Sequence, residues 1–279
     1  MPMRLIDTHT HLDFEHFDAD RHQVLTRCRQ AGVERVVVLG VHAANWARVW
    51  QLACDEPTAY AALGLHPVFL QDHRPEHLDE LRGWLARLRG EDKLCAIGEI
   101  GLDYYIENPD REAQHHWLDA QLALAAEFEL PVLLHVRRAH APVLALLKRH
   151  KLVRAGVAHA FSGSWEEARE YIRLGFRLGL GGAGTWPQAH RMHRVLQQLP
   201  LDSIVLETDA PDIAPASHPG MRNSPEHLPA ICRTLAGLKG IAPEELAEAS
   251  YRNSCELFGW KADARVSRPA APRPPVPHR

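Results

Sequence analysis

The sequence predicts a (β/α)8 barrel, and three observations predict it. Short apolar runs and stripes of helical spacing alternate eight times along the chain. Eight such units in roughly 260 residues match the usual length of that barrel. The apolar runs also tend to end in His, Glu or Asp, and a barrel collects its chemistry at the C-terminal ends of its strands. An open doubly wound sheet is the alternative, because a strand count from sequence can slip by one.

Leu5 and Ile6 open the first strand, which runs into Asp7-Thr8-His9-Thr10-His11. A strand has a period of two, so His9 and His11 share one face and make half of a metal site. Residues 33–41 form a second strand with no ligand at its end. Residues 60–65 end in His66-Pro67, 94–97 in Gly98-Glu99, 131–134 in His135, and 156–158 in His159. Residues 177–180 run into a glycine-rich turn, and 203–206 end in Glu207-Thr208-Asp209. Continuous apolar runs suit strands that are covered on both faces. Between them, residues 19–31 place Val24, Leu25 and Cys28 at helical spacing, and 111–129 do the same with Leu118, Leu122 and Ala125. Pro142 suits the first turn of a helix carrying Leu144 and Leu147, and residues 165–174 supply another.

On the barrel reading, His9, His11, Glu99, His135, His159 and Asp209 gather at one mouth. The chain has 19 histidines, and most of the others (His22, His77, His115, His116, His150, His193) lie on expected helices, where a surface position is the simpler reading. Four imidazoles and two carboxylates exceed one tetrahedral shell, so two ions sharing a ligand are expected. Glu99 is the best bridge, because a carboxylate has two oxygens. His9, His11 and Asp209 then hold one ion, and His135 and His159 the other. Mixed nitrogen and oxygen donors favour Zn, Mn or Fe, while Mg prefers oxygen and water; the expected cofactor is two divalent ions, Zn, Mn or Mg.

In order along the chain, the strings IDTHTHLD, GLHP, IGEIGLDYY, LPVLLHVRRA, AHAFSGS, LETDAPDIAP and RNSP resemble the TatD family of metal-dependent deoxyribonucleases, from residue 4 to about 258. The resemblance implies a metal-dependent-hydrolase TIM barrel and two-metal phosphodiester hydrolysis, with 3′-5′ exonucleolytic attack on single-stranded DNA or RNA ends. The metal roles it implies fall on the six residues already assigned. A Glu after the fourth strand also separates the chain from relatives that bridge through a carbamylated lysine, since Lys93 precedes that strand. Two positions depart from the family's common pattern: Arg138, where Asp is usual, and Ser224, where Glu is usual. Neither is a ligand, and both bear on substrate preference or on the support around the site.

Two such ions activate water and clamp phosphoryl oxygens. Asp209 is expected to orient the nucleophile and take its proton. His66, at the third strand's end, is expected to contact the scissile phosphate or protonate the leaving oxygen. Arg137 follows His135 by one strand period, and a guanidinium suits phosphate. Ser162, Arg222 and Asn223 are further substrate candidates, Tyr104 and Tyr105 are candidates for base stacking, and Glu207 reads as support rather than ligand.

Composition sets outer bounds. At 279 residues and 46% apolar content the chain is expected to form one large domain, residues 1–261. From residue 262 onward Pro, Ala and Arg dominate, so residues 262–279 read as a disordered, dispensable tail. Five cysteines with no pairing pattern, no signal peptide and no apolar stretch of membrane length favour reduced thiols and the cytoplasm, with no membrane or obligate protein partner. A net charge of −3 does not suit a protein gripping long duplex DNA, but permits one that accepts a strand end into a metal pocket. The alternatives are an amide or carboxyl-ester hydrolase, such as an aminoacyl-tRNA deacylase, and a metal-holding protein without catalysis. The complete donor set argues against the latter.

Overall fold

A computed structural model describes residues 3–261. Eight parallel strands follow one another in chain order around one sheet. They are β1 (Leu5–Thr10), β2 (Val33–Leu39), β3 (Ala59–Leu63), β4 (Leu94–Asp103), β5 (Val132–Arg137), β6 (Gly156–Ala158), β7 (Arg177–Leu180) and β8 (Ile204–Leu206). The first and last strands meet just beyond β8. There the Asp209 N–H donates to the His9 carbonyl at 2.9 Å and the His11 N–H to the Ala210 carbonyl at 2.7 Å. The sheet is thus a barrel, and the open-sheet alternative falls.

The outer ring is α1 (Arg21–Ala31), α2 (Trp46–Asp55), α3 (Glu76–Arg87), α4 (Arg111–Phe128), α5 (His140–Arg149), α6 (Trp165–Arg173), α7 (His190–Gln198), α8 (Leu228–Lys239) and α9 (Pro243–Phe258). Local sequence sets several of these ends. Ser164 and Glu167 cap α6 reciprocally, each side chain accepting the other's backbone N–H, at 3.2 and 2.6 Å. Prolines in the first turns of α8 and α9 cost no hydrogen bond there.

Alternation along β2 shows how the layers form. Val36 and Val38 pack outward under the helices, whereas Val37 and Leu39 point into the barrel with Ala62, Ala96, Leu133, Val157 and Val205. Leu257, Phe258 and the flanking Trp260 belong to this interior cluster, so the end of α9 stoppers the N-terminal mouth. That leaves the opposite mouth for chemistry.

The expected elements are all present, with shifted ends. β4 continues through Glu99 to Asp103, β1 encloses His9, and β5 runs to Arg137, because ladder pairing continues where the apolar signal stops. Conversely β2 and β3 end two residues early, and α1 begins at Arg21. Register irregularities interrupt β1 between Asp7 and Thr10 and β4 between Ile97 and Ile100. Such bulges re-aim side chains, and these two lie in the strands that carry His9 and Glu99. Gly101 permits the close approach of β4 to β5: at its φ of 156° a Cβ would collide with the His135 carbonyl.

Among the helix histidines one expectation fails. His77 is buried, its Nδ1 accepting from the Arg74 N–H at 3.2 Å, so it ties the turn before α3 to the helix rather than facing solvent. All five cysteines are free, four of them buried. No helix among the described residues is long and apolar enough to cross a membrane. The expected tail, 262–279, lies outside the described residues.

Candidate metal centre

Five imidazoles surround one carboxylate at the C-terminal mouth. Glu99 Oε2 lies 3.2 Å from His9 Nε2 and 3.3 Å from His11 Nε2. Its other oxygen, Oε1, lies 3.0 Å from His135 Nδ1, 3.1 Å from His159 Nε2 and 3.2 Å from His66 Nε2. Asp209 Oδ1 completes the first group, 3.6 Å from both His9 Nε2 and His11 Nε2. All six expected ligands therefore converge, and Glu99 divides them by oxygen as a bridge would. Its side chain is 3% exposed, and that of Asp209 is 14% exposed, placing Asp209 at the lip.

The electrostatics follow from crowding. Burial alone would raise Glu99, but the imidazoles of His66, His9 and His159 outweigh it and hold the carboxyl well below its usual range. Asp209 is likewise depressed, burial being overcome by His159 and His11. Burial pushes His66 down to about 4, so it is neutral.

The donor set fits divalent cations. His135 Nε2–H donates to Asp103 Oδ2 at 2.8 Å, which leaves an Nδ1 lone pair 3.0 Å from the carboxylate oxygen of Glu99. With that tautomer, a cation between the two electron-rich atoms would satisfy both. The His9 and His159 rings are stacked with centroids 3.9 Å apart, and burial together with the neighbouring His159 pushes His9 down, leaving it neutral and able to offer a lone pair. Donors about 2.0–2.2 Å from a shared ion lie roughly 3.0–3.6 Å from one another, as these do. His9, His11, Glu99 and Asp209 would hold one ion, and Glu99, His135 and His159 a second.

His66 stands apart from the ligands. Its Nδ1 accepts from the Val68 N–H at 3.1 Å, so its proton sits on Nε2 and points at Glu99. It is a donor at the site's edge.

The supporting carboxylates were largely missed in the sequence. Asp103 orients His135 and, through Oδ1, accepts the N–H groups of Tyr105 and Ile106 at 2.8 and 3.2 Å. The string GLD two residues beyond Glu99 was the available signal. Asp7 is wholly buried and accepts from the His9 N–H, the Thr208 N–H and the Thr208 hydroxyl at 3.2, 3.0 and 2.5 Å, tying β1 to the segment bearing Asp209. Burial pushes Asp7 up to about 8. Glu207, expected as support, accepts the Ala160 N–H at 2.5 Å and lies 3.5 Å from His159 Nδ1. Glu207 also explains Gly179, where a Cβ would strike its carboxylate. Carboxylates behind ligating imidazoles fix the ring and raise its basicity, and losing one typically costs about 10- to 100-fold. Asp103→Asn is therefore expected to weaken occupancy of the His135 position and lower turnover by about that factor. Unaltered metal stoichiometry and rate in the variant would remove this role.

The expected substrate contacts separate into two groups. Arg137 and Ser162 are exposed at the mouth, and the Arg137 guanidinium lies 3.9 Å from the centroid of Tyr105. Arg222, by contrast, is committed to Asp20 at 2.9 and 2.7 Å and to the His16 carbonyl, bracing the loop after β8 against the start of α1. Asn223 is buried, its amide donating to the carbonyls of Thr208, Asp212 and Ile213 at 2.7, 2.8 and 3.2 Å. It shapes the segment that holds Asp209 in a left-handed conformation, φ 59°. Asn223 is not left for a ligand, and Arg222, though exposed, is held by its ion pair; sequence proximity to the mouth did not show these commitments. Tyr104 packs on α4, its hydroxyl 2.6 Å from His115 Nε2, whereas Tyr105 is 51% exposed. Of the two departures from the motif pattern, Arg138 is exposed at the mouth, and Ser224 is buried with its Oγ unpartnered among the described residues.

A parallel barrel with buried His, Asp and Glu donors at its C-terminal mouth is the architecture of a metal-dependent hydrolase. The model of TatD related DNases matches residues 6–259, and the chain belongs to that family. It is 43% identical over 258 residues to the uncharacterized metal-dependent hydrolase YjjV of Escherichia coli K12, covering 92% of this chain and 99% of the relative. It is 34% identical over 264 residues to the 3′-5′ ssDNA/RNA exonuclease TatD of Erwinia tasmaniensis, covering 91% and 99%. The crystal structure of the TatD homolog YjjV matches with a TM-score of 0.89 and 42% identity, over 94% of this chain and 100% of that one. A TatD family hydrolase of Entamoeba histolytica, 21% identical, shares the fold with a TM-score of 0.81 over 92% and 99%. The barrel and the family read from the motifs are thus borne out.

Proposed function

We propose that the protein is a two-metal phosphodiesterase that trims single-stranded nucleic acid from the 3′ end. The division of the imidazoles between the two oxygens of Glu99 carries this reading, because each oxygen with its own imidazoles could face a separate ion. Relatives named for 3′-5′ ssDNA/RNA exonuclease activity support the substrate class.

Bound divalent ions supply Lewis acidity for a phosphoryl oxygen and lower the pKa of water. Asp209 presents a carboxylate at the lip, with one oxygen toward His9 and His11 and the other left to take a proton from the attacking water. His66, with Nδ1 held by Val68, offers Nε2–H as a neutral donor to a phosphate oxygen, which favours contact over proton delivery. Arg137 stands at the end of β5 as a guanidinium for the same phosphate. Arg137, Arg138 and Ser162 are exposed at the mouth, and guanidinium and hydroxyl groups suit a phosphate.

Exhaustive chelation should abolish cleavage of an end-labelled single-stranded oligonucleotide, and added Zn or Mn should restore it. Undiminished turnover with metal content near zero would remove the mechanism. Cleavage of an aminoacyl ester on RNA, with the oligonucleotide left intact, would replace phosphodiester by acyl hydrolysis.

A further inference from the structure

Beside the metal centre lies a cavity of about 360 Å³ walled by Arg138, His140, Pro142, Ser162, Glu167 and Arg191. Arg138 and Ser162 each follow a centre histidine, His135 and His159, by three residues. Three residues of extended chain span at most about 11 Å, so the cavity adjoins the centre.

Its polar groups suit an anion. Glu167 uses Oε2 to cap α6 and lies 3.8 Å from the Arg191 guanidinium, so one carboxylate stands against two arginines. Arg138 has no carboxylate partner among the described residues, and its guanidinium lies 4.5 Å from the centroid of Tyr105. His140 pairs with the buried Tyr171 hydroxyl through Nδ1 at 3.3 Å, leaving Nε2 without a protein partner among the described residues.

The backbone at Arg138 adds a second observation. Successive strand residues point to opposite sides, yet Arg137 and Arg138 both reach the face of Tyr105. The φ of 55° at Arg138, in the left-handed region that side-chain-bearing residues seldom occupy, turns it there. Such conformations concentrate at ligand sites. Two arginines thus gather on one exposed aromatic ring, and one of them, Arg138, also lines the cavity.

We infer that this cavity is a subsite for a second phosphodiester of a single strand, one or two nucleotides from the bond cut. Arg138 and Arg191 grip the phosphate, and His140 and Ser162 donate to it. The inference rests on the phosphodiesterase reading and adds a preference for chains over single esters.

The test compares the wild-type protein with an Arg138→Ala/Arg191→Ala variant, both positions being exposed. Anisotropy measures binding of a fluorescein-labelled oligothymidylate of about ten nucleotides across a salt series. Kinetics measure kcat/KM for that strand and for bis(p-nitrophenyl) phosphate, which has one phosphodiester and no base. The variant should bind the strand at least about tenfold more weakly, with a salt slope reduced by roughly 0.7 for the one phosphate no longer neutralised. Its loss of kcat/KM on the strand should exceed that on the small ester by about tenfold. Unchanged affinity and slope, or equal kinetic losses on the two substrates, would overturn the subsite while hydrolysis itself keeps the phosphodiesterase reading. If the wild-type protein cuts neither substrate but the variant shows the binding loss, the subsite stands and the phosphodiesterase reading falls.

Discussion

Glu99→Ala is expected to empty both ion positions at once and to lower kcat/KM by at least about a thousandfold. The magnitude follows from what the ions supply: several kcal/mol of transition-state stabilisation, at about 1.4 kcal/mol per decade of rate. No other single donor should match it, because His135→Ala removes a ligand from one position only. Glu99→Gln separates charge from shape, keeping the volume and one oxygen while leaving the imidazoles without their shared anion. Metal content by mass spectrometry should fall toward zero for Ala, toward one ion for Gln, and mainly at one position for His135→Ala. Full occupancy and near-native rate in Glu99→Ala would refute the bridge.

Asp209→Asn is expected to separate rate from metal. Asn keeps an oxygen donor and tolerates the left-handed backbone found at this position, φ 59°, so fold and occupancy should survive. What it lacks is a basic oxygen at the lip, and a positioned general base contributes about a hundred- to ten-thousandfold. Turnover should fall within that range with metal stoichiometry retained. Metal loss in proportion to rate would make Asp209 a ligand and nothing more.

The fold and the donors were legible in the sequence for one reason. In a barrel, chemistry follows strands, so His66, Glu99, His135, His159 and Asp209 each stood where an apolar run stopped. The readings that failed concern partners far along the chain. Arg222 looked available beside the mouth until Asp20, about two hundred positions earlier, claimed its guanidinium. Asn223 looked like a ligand contact, and its amide is spent on three carbonyls of one loop. Asp7 and Asp103 were invisible as supports because a buried carboxylate is recognisable only once its donors are known. Strand ends slipped at β4 and β5 because pairing is cooperative with neighbours, whereas hydropathy registers one residue at a time.

The seam of the barrel, where Asp209 N–H meets the His9 carbonyl, ties the metal centre to the calendar of synthesis. The donors span the chain from residue 9 to residue 209 of 279, and the last of them sits on the bond that shuts the sheet. A nascent chain shorter than that holds histidines but no complete centre, so it can neither close nor cut. Ions that bind only the finished site then add RT ln(1 + [L]/Kd) to its stability. A metal-dependent hydrolase built this way stays inert while unfinished, and becomes hardest to unfold at the moment it becomes able to act.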